Sequence, residues 1–290
     1  MPGMARAQLP AASAAAIGPL LQYWRKVRSM SQLDLAYEAD VSPRHVSFVE
    51  TGRAKPSRDM VLQLAAALAV PLRERNALLL AAGFAPVFRE SRLDDPHLAS
   101  VRTALDAILQ QQEPYPAVVM NRGWDIVAGN GAATLFFGML LGERATRGTS
   151  NVLRLMFHPE GLRPSVANWE AVAQALVQRL HREAVGGVLD DALGRLLAEI
   201  LQYPGVPKNW GTPDFGAAVV PVLPVCFRHG AKAFNFFSTV TVLGTPQDIT
   251  LQELRIECFF PSDAETAAAA RDLGRHASSV RRHQVHGRTR

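Results

Sequence analysis

Between positions 31 and 57, short polar side chains recur just ahead of apolar helical runs. Ser31, Ser42 and Ser57 each precede such a run. A serine oxygen there accepts from a backbone N–H that has no partner inside the helix. Pro43 follows Ser42 at a first helical position, where the missing N–H costs nothing. In the run it opens, Val46 and Val49 lie about 60° apart around the axis and define an inward face. Arg44, Ser47 and Phe48 then fall toward the opposite side, with His45 on the flank. That outward set has a chemistry. A guanidinium is shaped for the O6 and N7 of guanine, and an aromatic ring meets the methyl of thymine. The capped start of the helix at Ser42 favours a phosphate.

These side chains need helices to carry them. The spacing predicts helices over 20–28, 32–39, 43–51, 58–68 and 71–83, with Gly52 in the left-handed position after the third. A second helix, a turn at Asp40-Val41 and a third helix starting at Ser42 have the layout of a helix-turn-helix. The stretch from Leu20 to Gly83 resembles the lambda-repressor-like, or XRE-type, family. The match rests on Gln32, Ala36, Val41-Ser42, Glu50-Thr51-Gly52-Arg53 and Pro56-Ser57. The resemblance implies that Gln32 and Ser42 anchor a DNA backbone, that Arg44, Ser47 and Phe48 face bases, and that Arg53 and Lys55 touch phosphates. It also implies an interior ion pair between Arg25 and Glu50. Pro43 departs from relatives that carry a polar base reader there. The competing view is a helical interaction module with solvated cations.

Further along, no P-loop, GxSxG, HExxH or glycine-rich dinucleotide fingerprint occurs. His97, His158, His181 and His229 are scattered, so no metal site is expected, and no enzymatic activity or cofactor. A helix over 97–111 leads into short strands at 117–120 and 125–128. Helices follow at 131–141, 151–157, 166–184 and 189–202, then strands at 217–225, 233–243 and 253–260. The expected fold is therefore multidomain: an all-α helix-turn-helix domain, then an α+β domain whose sheet is interrupted by a helical insertion. The expected boundaries are a disordered leader (1–16), the helical domain (17–85), a linker (86–96), the mixed domain (97–263), and a helix with a basic disordered tail (264–290).

Several pieces of the mixed domain together resemble the MmyB-like ligand-binding domain of transcription regulators, which has a PAS-like fold. They include Glu113-Pro114-Tyr115-Pro116, Asn130-Gly131-Ala132-Ala133, Asn151-Val152-Leu153-Arg154, His158-Pro159-Glu160-Gly161 and Leu254-Arg255-Ile256-Glu257. The resemblance implies an elongated apolar pocket for a fatty-acid-like molecule. Candidate walls are Trp124, Phe136, Phe137, Phe157, Trp169, Phe234 and Phe236. Candidate donors to a carboxylate head are His158, Arg163 and Asn168. The plainer alternative is that the aromatics only fill a core and the domain is a dimerisation module. A third possibility, a hydrolase or redox domain, lacks a nucleophile set.

Hydrophobic residues make up 48% and charged residues 20% of the chain, enough apolar material for real cores. No apolar run is long enough for a membrane span. The formal charge is +5, and residues 271–290 hold six arginines against the single acid Asp272, so the tail accounts for the excess. Residues 17–75 carry nine Lys/Arg against six Asp/Glu, a modest basic bias. Cys226 and Cys258 sit in separate apolar segments and are expected to stay reduced. The whole chain reads as a cytoplasmic, nucleoid-associated homodimer whose partners are double-stranded DNA and a small apolar ligand.

Overall fold

The computed structural model describes residues 16–142, 149–185, 192–212, 222–244 and 246–286. The chain divides into two compact units, one built on residues up to Ser91 and the other on most of the remainder.

Five helices make the first unit: α1 (Ile17–Val27), α2 (Gln32–Glu38), α3 (Pro43–Glu50), α4 (Arg58–Ala67) and α5 (Leu72–Ala81). Their starts follow the serine pattern. The Ser31, Ser42 and Ser57 oxygens accept from the N–H groups of Asp34, His45 and Met60. Asp34 returns the favour to the Ser31 N–H, completing a reciprocal cap on α2. Gly52 has φ +74°, and the N–H groups of Arg53 and Ala54 turn back to the Phe48 carbonyl to close α3. Leu20, Leu21, Trp24, Leu35, Val46, Val49, Val61 and Leu64 form the buried centre.

The stretch expected as a linker is partly ordered against this unit. Asn76 accepts from the N–H groups of Val87 and Phe88 and donates to the Phe88 carbonyl. The unit also takes in a distant segment, the residues just before and within α11 (Ile249–Glu253). There the Ser91 hydroxyl donates to the buried Asp248 carboxylate at 2.6 Å, and the Thr250 hydroxyl to the Ser91 carbonyl at 2.6 Å. The Leu72 N–H donates to Gln252 Oε1 at 2.7 Å. Tertiary pairing this remote in sequence leaves no local signal, which is why α11 was not expected.

The second unit begins with a 3₁₀ turn at Pro96–Leu98 and α6 (Ala99–Gln111). Strands β1 (Ala117–Met120), β2 (Ile126–Gly129), β3 (Leu223–His229), β4 (Lys232–Thr241) and β5 (Arg255–Pro261) form one sheet in the order β2-β1-β5-β4-β3, every pairing antiparallel. Between β2 and β3 lie α7 (Gly131–Leu141), α8 (Val152–Phe157), α9 (Trp169–Val185) and α10 (Ala192–Ile200). The sheet interrupted by helices is thus the α+β arrangement read from the sequence. β3 runs later than expected, and residues 217–221 lie outside the described residues. The final helix, α12 (Ala264–His286), continues past Arg275 through what had been expected as a disordered tail. Its Ala- and Arg-rich composition favours helix, and no proline interrupts it.

Asn130 shows why a short polar motif sits in this core. Its Oδ1 accepts from the N–H groups of Ala117 and Ala133, and its Nδ2 donates to the carbonyls of Leu109 and Tyr115. One side chain thereby ties α6, β1 and α7 together with its full hydrogen-bonding capacity.

Helix α1 crosses the end of α3 at a glycine. A Cβ on Gly18 would stand 2.3 Å from the Glu50 carbonyl oxygen. Gly18→Ala is therefore expected to destabilise the first unit by about 1–3 kcal/mol through overpacking. Gly138→Ala, within α7 and with open space around it, should leave stability unchanged or slightly raised. Thermal unfolding of both variants by circular dichroism checks the contrast.

Candidate nucleic-acid interface and ligand cavity

The outward face of α3 is available in the first unit. Arg44 is exposed, and His45, Ser47 and Phe48 are partly exposed, while Val46 and Val49 are buried. Arg44 and Phe48, one turn apart, are stacked with the guanidinium 5.1 Å from the ring centroid. That contact holds the long cation over the ring on the outward side of α3. Ser42 sits exposed at the helix start, and Arg53 and Lys55 are exposed beyond its end.

Behind this face lies a polar node. Arg25 grips Glu50 in bidentate fashion, Nε to Oε1 at 2.7 Å and Nη2 to Oε2 at 2.9 Å. The Glu50 side chain is fully buried. Gln32 Nε2 donates to Glu50 Oε2 at 2.7 Å, and Arg25 Nη1 donates to the Met30 carbonyl at 2.9 Å. Gln32, expected as a backbone anchor for DNA, thus has its amide nitrogen committed to the interior, with the side chain partly exposed. The node joins α1, α2 and the last residue of α3, so it sets the angle at which α3 is presented.

The second unit contains a cavity of about 310 Å³. Helix α7 supplies Ala133, Thr134, Phe137 and Leu141, and α8 supplies Val152, Leu155 and Met156. Val172 and Leu176 come from α9, and the sheet contributes Val118, Ile126, Val225, Phe227, Glu257 and Phe259. The lining is apolar except for Thr134, Thr149, Ser150 and Glu257. A volume near 300 Å³ is at the small end of ligand pockets.

Of the ten residues the sequence suggested for this site, Phe137 lines the cavity. The others are held elsewhere. Phe136 is buried at the centre of an edge-to-face cluster with Phe137, Phe227, Phe234 and Phe236. Phe157 packs on Trp169, whose Nε1 donates to the Met156 carbonyl. Trp124 is fully buried, and Arg179 and Arg255 both place guanidinium groups within 4.8 Å of its ring centroid. The three proposed donors are likewise engaged. Arg163 lies 3.8 Å over the Trp169 ring and donates to the Pro204 carbonyl. His158 Nδ1 accepts from the Glu160 N–H. Asn168 donates to the Pro224 carbonyl and accepts from the Cys226 N–H, covering the free edge of β3.

Sequence reasoning gave no role to Glu257, although it named the segment. Strand parity was the available signal: Glu257 shares a face with Phe259, so an acid on that face of a central strand must point among apolar side chains. Burial in these surroundings raises the Glu257 pKa, despite a hydrogen bond from Ser238 and the fields of Arg179 and Arg255, all of which act to lower it. Those two cations are already bound to Glu183, at 3.0 and 2.6 Å.

Two family comparisons bear on these features. A profile described as MmyB-like transcription regulator ligand binding domain matches residues 101–273. The chain belongs to this family. A helix-turn-helix profile matches residues 21–75, across the node and the α3 face. The protein is accordingly a DNA-binding transcription regulator with an MmyB-like ligand-binding domain, and that domain is the unit holding the cavity. Comparison with curated proteins gives no match. Among solved structures, the chain is similar to one described as "Structure of an RNA-binding Light-Oxygen-Voltage Receptor", at 12% identity and a TM-score of 0.25, covering 91% of this chain and 63% of that one. Among the described residues no helix is long and apolar enough to cross a membrane, and no cluster of potential metal ligands occurs.

Glu50→Ala should destabilise the helix-turn-helix by about 3 kcal/mol, because it strands the Arg25 guanidinium and the Gln32 amide. Chemical denaturation would measure it. The MmyB-like domain gives a pH signature. Because burial raises the Glu257 pKa, the folded chain binds more protons than the unfolded one above the ordinary glutamate value of about 4.3. Stability from this site is therefore lost progressively as pH rises from there to the raised pKa. Glu257→Gln should remove that slope, so wild type loses more stability than the variant as pH rises above the ordinary glutamate value. Urea midpoints across that range are the measurement; parallel curves would show an ordinary, ionised Glu257.

Proposed function

We propose that the protein is a dimeric, sequence-specific regulator of transcription whose DNA affinity responds to a small apolar ligand in the MmyB-like domain. The observation that carries this reading is the α3 face, where Arg44 is stacked on Phe48 and both remain accessible beside a capped helix start. Arg44 reads a guanine, Phe48 a thymine methyl, and Ser47 and His45 the flanks. Ser42, Arg53 and Lys55 serve the phosphates, and Gln32 joins them through the amide N–H that Glu50 does not take. One such helix spans only a few base pairs, and two-fold operators suit the motif, so the active form is a homodimer acting on chromosomal DNA in the cytoplasm.

The cavity supports the sensing half of the proposal over a purely dimerising domain. Its walls are apolar and preformed, and the neighbouring aromatics pack around Phe136 without filling it. The ligand's body is fatty-acid-like, slender and hydrocarbon. Chain path suggests how occupancy reaches DNA. Strand β5 lines the cavity, and the residues immediately before it are stitched to Ser91 and Leu72 in the DNA-binding unit.

The experiment is selection of duplexes from a randomised pool by the full chain, followed by anisotropy titrations at several salt concentrations. Arg44→Ala should flatten the preference at one operator position, by roughly tenfold or more. Arg53→Ala should weaken all duplexes alike and reduce the salt slope by about one. Failure of the pool to converge on any sequence, or indifference of binding to both substitutions, would overturn the proposal.

A further inference from the structure

The outward face of α3 carries two reading groups that are held to each other. Arg44 and Phe48 lie one turn apart on the same side of the helix, and the guanidinium sits 5.1 Å from the ring centroid. A contact of this kind uses the flat face of the cation. The five N–H donors lie in the guanidinium plane, at its edge, and stay directed away from the ring. Pro43, at the first helical position, offers neither a polar side chain nor an N–H, so base reading along α3 begins with Arg44. Phe48 is partly exposed and stands outside the apolar centre of its unit, to which Val46 and Val49 belong. Covering such a ring with another apolar group is favourable.

A fixed spacing between the two side chains fixes the spacing of the groups they meet. A guanidinium that takes O6 and N7 of a guanine lies near the plane of that base. Whatever is stacked on its face then lies above or below that plane, toward the next base pair, about 3.4 Å along the duplex. A ring centred 5.1 Å from the cation, and several ångströms wide, covers the major-groove edge of that neighbour. The apolar group presented there is the C5 methyl of a pyrimidine. Thymine carries it, and cytosine acquires it only when methylated at C5.

Resting on the reading of α3 proposed above, we infer that Arg44 and Phe48 form one composite reader of a two-base step: a guanine with a C5-methylated pyrimidine directly beside it. In that step 5-methylcytosine replaces thymine, so binding responds to cytosine C5 methylation wherever the neighbour is a cytosine. Phe48 is the specificity-determining contact for the methyl, and Arg44 for the guanine. One methyl buried on the ring is worth about fourfold in affinity for each half-site.

The test runs the selection on two randomised duplex pools, one with thymine and one with deoxyuridine, which differ only in the C5 methyl. With thymine, the full chain should converge on operators with thymine next to the guanine that Arg44→Ala ceases to prefer. With deoxyuridine, preference at that neighbour should fall by about fourfold while the guanine is still selected. In anisotropy titrations of the selected duplex, cytosine at the neighbour should bind about fourfold more weakly than 5-methylcytosine. Phe48→Ala, with helix content checked by circular dichroism, should bring those two duplexes to equal affinity. Equal binding of both by the unsubstituted chain, or a methyl effect confined to positions not adjacent to that guanine, would overturn the inference and reduce Phe48 to a brace for Arg44. A methyl effect that Phe48→Ala leaves intact would overturn it as well. A guanine preference indifferent to Arg44→Ala would instead remove the reading of α3 itself, and the composite step with it.

Discussion

One buried carboxylate governs how the DNA-binding unit is put together. Glu50 is the last residue of α3, and its two oxygens satisfy Arg25 from α1 and Gln32 from α2. An ion pair this deep is held only because nearly every donor around it has a partner. The same residue's main chain sets a steric limit, since Gly18 lets α1 approach the Glu50 carbonyl where no side chain would fit. Polar and steric constraints therefore converge on the end of α3. Its outward face, with Arg44 over Phe48, inherits an orientation it could not fix by itself.

In the MmyB-like domain the corresponding constraint is strand parity. Strand β5 lies between β1 and β4, so its side chains must choose a face without an edge to escape to. Arg255, Glu257 and Phe259 share one face. At the Arg255 end, Glu183 takes Arg255, Arg179 and the Trp124 indole N–H. At the Phe259 end the aromatics contact one another edge to face. Glu257 falls between the two, and the cavity opens there because neither the ion network nor the aromatic cluster extends across it.

How much of this was legible in the sequence depended on the range of the interactions. Serine caps, the Pro43 start and the Gly52 exit act within four residues, so all five helices of the first unit could be placed. The strand and helix order of the second domain was readable from periodicity for the same reason. The cavity walls were not. Aromatic residues were the natural candidates, yet Phe136, Phe157, Trp124, Trp169, Phe234 and Phe236 are large enough to be consumed in packing with each other or with arginines. The surfaces left uncovered belong to smaller side chains such as Val118, Ala133 and Val172. Similarly, Arg163 and Asn168 look like free head-group donors in one dimension. In three, Arg163 stacks on Trp169, and Asn168 seals a strand edge. The helical continuation to His286 was missed because the Arg-rich composition was weighed as solvated charge rather than as helix propensity.

The connector between β4 and β5 belongs in part to each of the two units along the chain. It leaves one cavity-bearing sheet strand's neighbour at Thr241 and returns into the strand that carries Glu257 at Arg255. In between, Asp248 accepts from the Ser91 hydroxyl and from the Thr250 N–H, and the Ile249 N–H donates to the Arg89 carbonyl. A ligand can shift a protein's equilibrium only by binding its alternative states with different affinity. A rigid cavity wall would give no such difference. On the sensing role proposed above, a difference would arise where a movement of β5 carried along the residues before it, which are hydrogen-bonded to Leu72 at the start of α5 and to Ser91. The cost of disturbing several partly buried hydrogen bonds, at about 1 kcal/mol each, is of the same order as the typical coupling energy between two allosteric sites, roughly 1–3 kcal/mol.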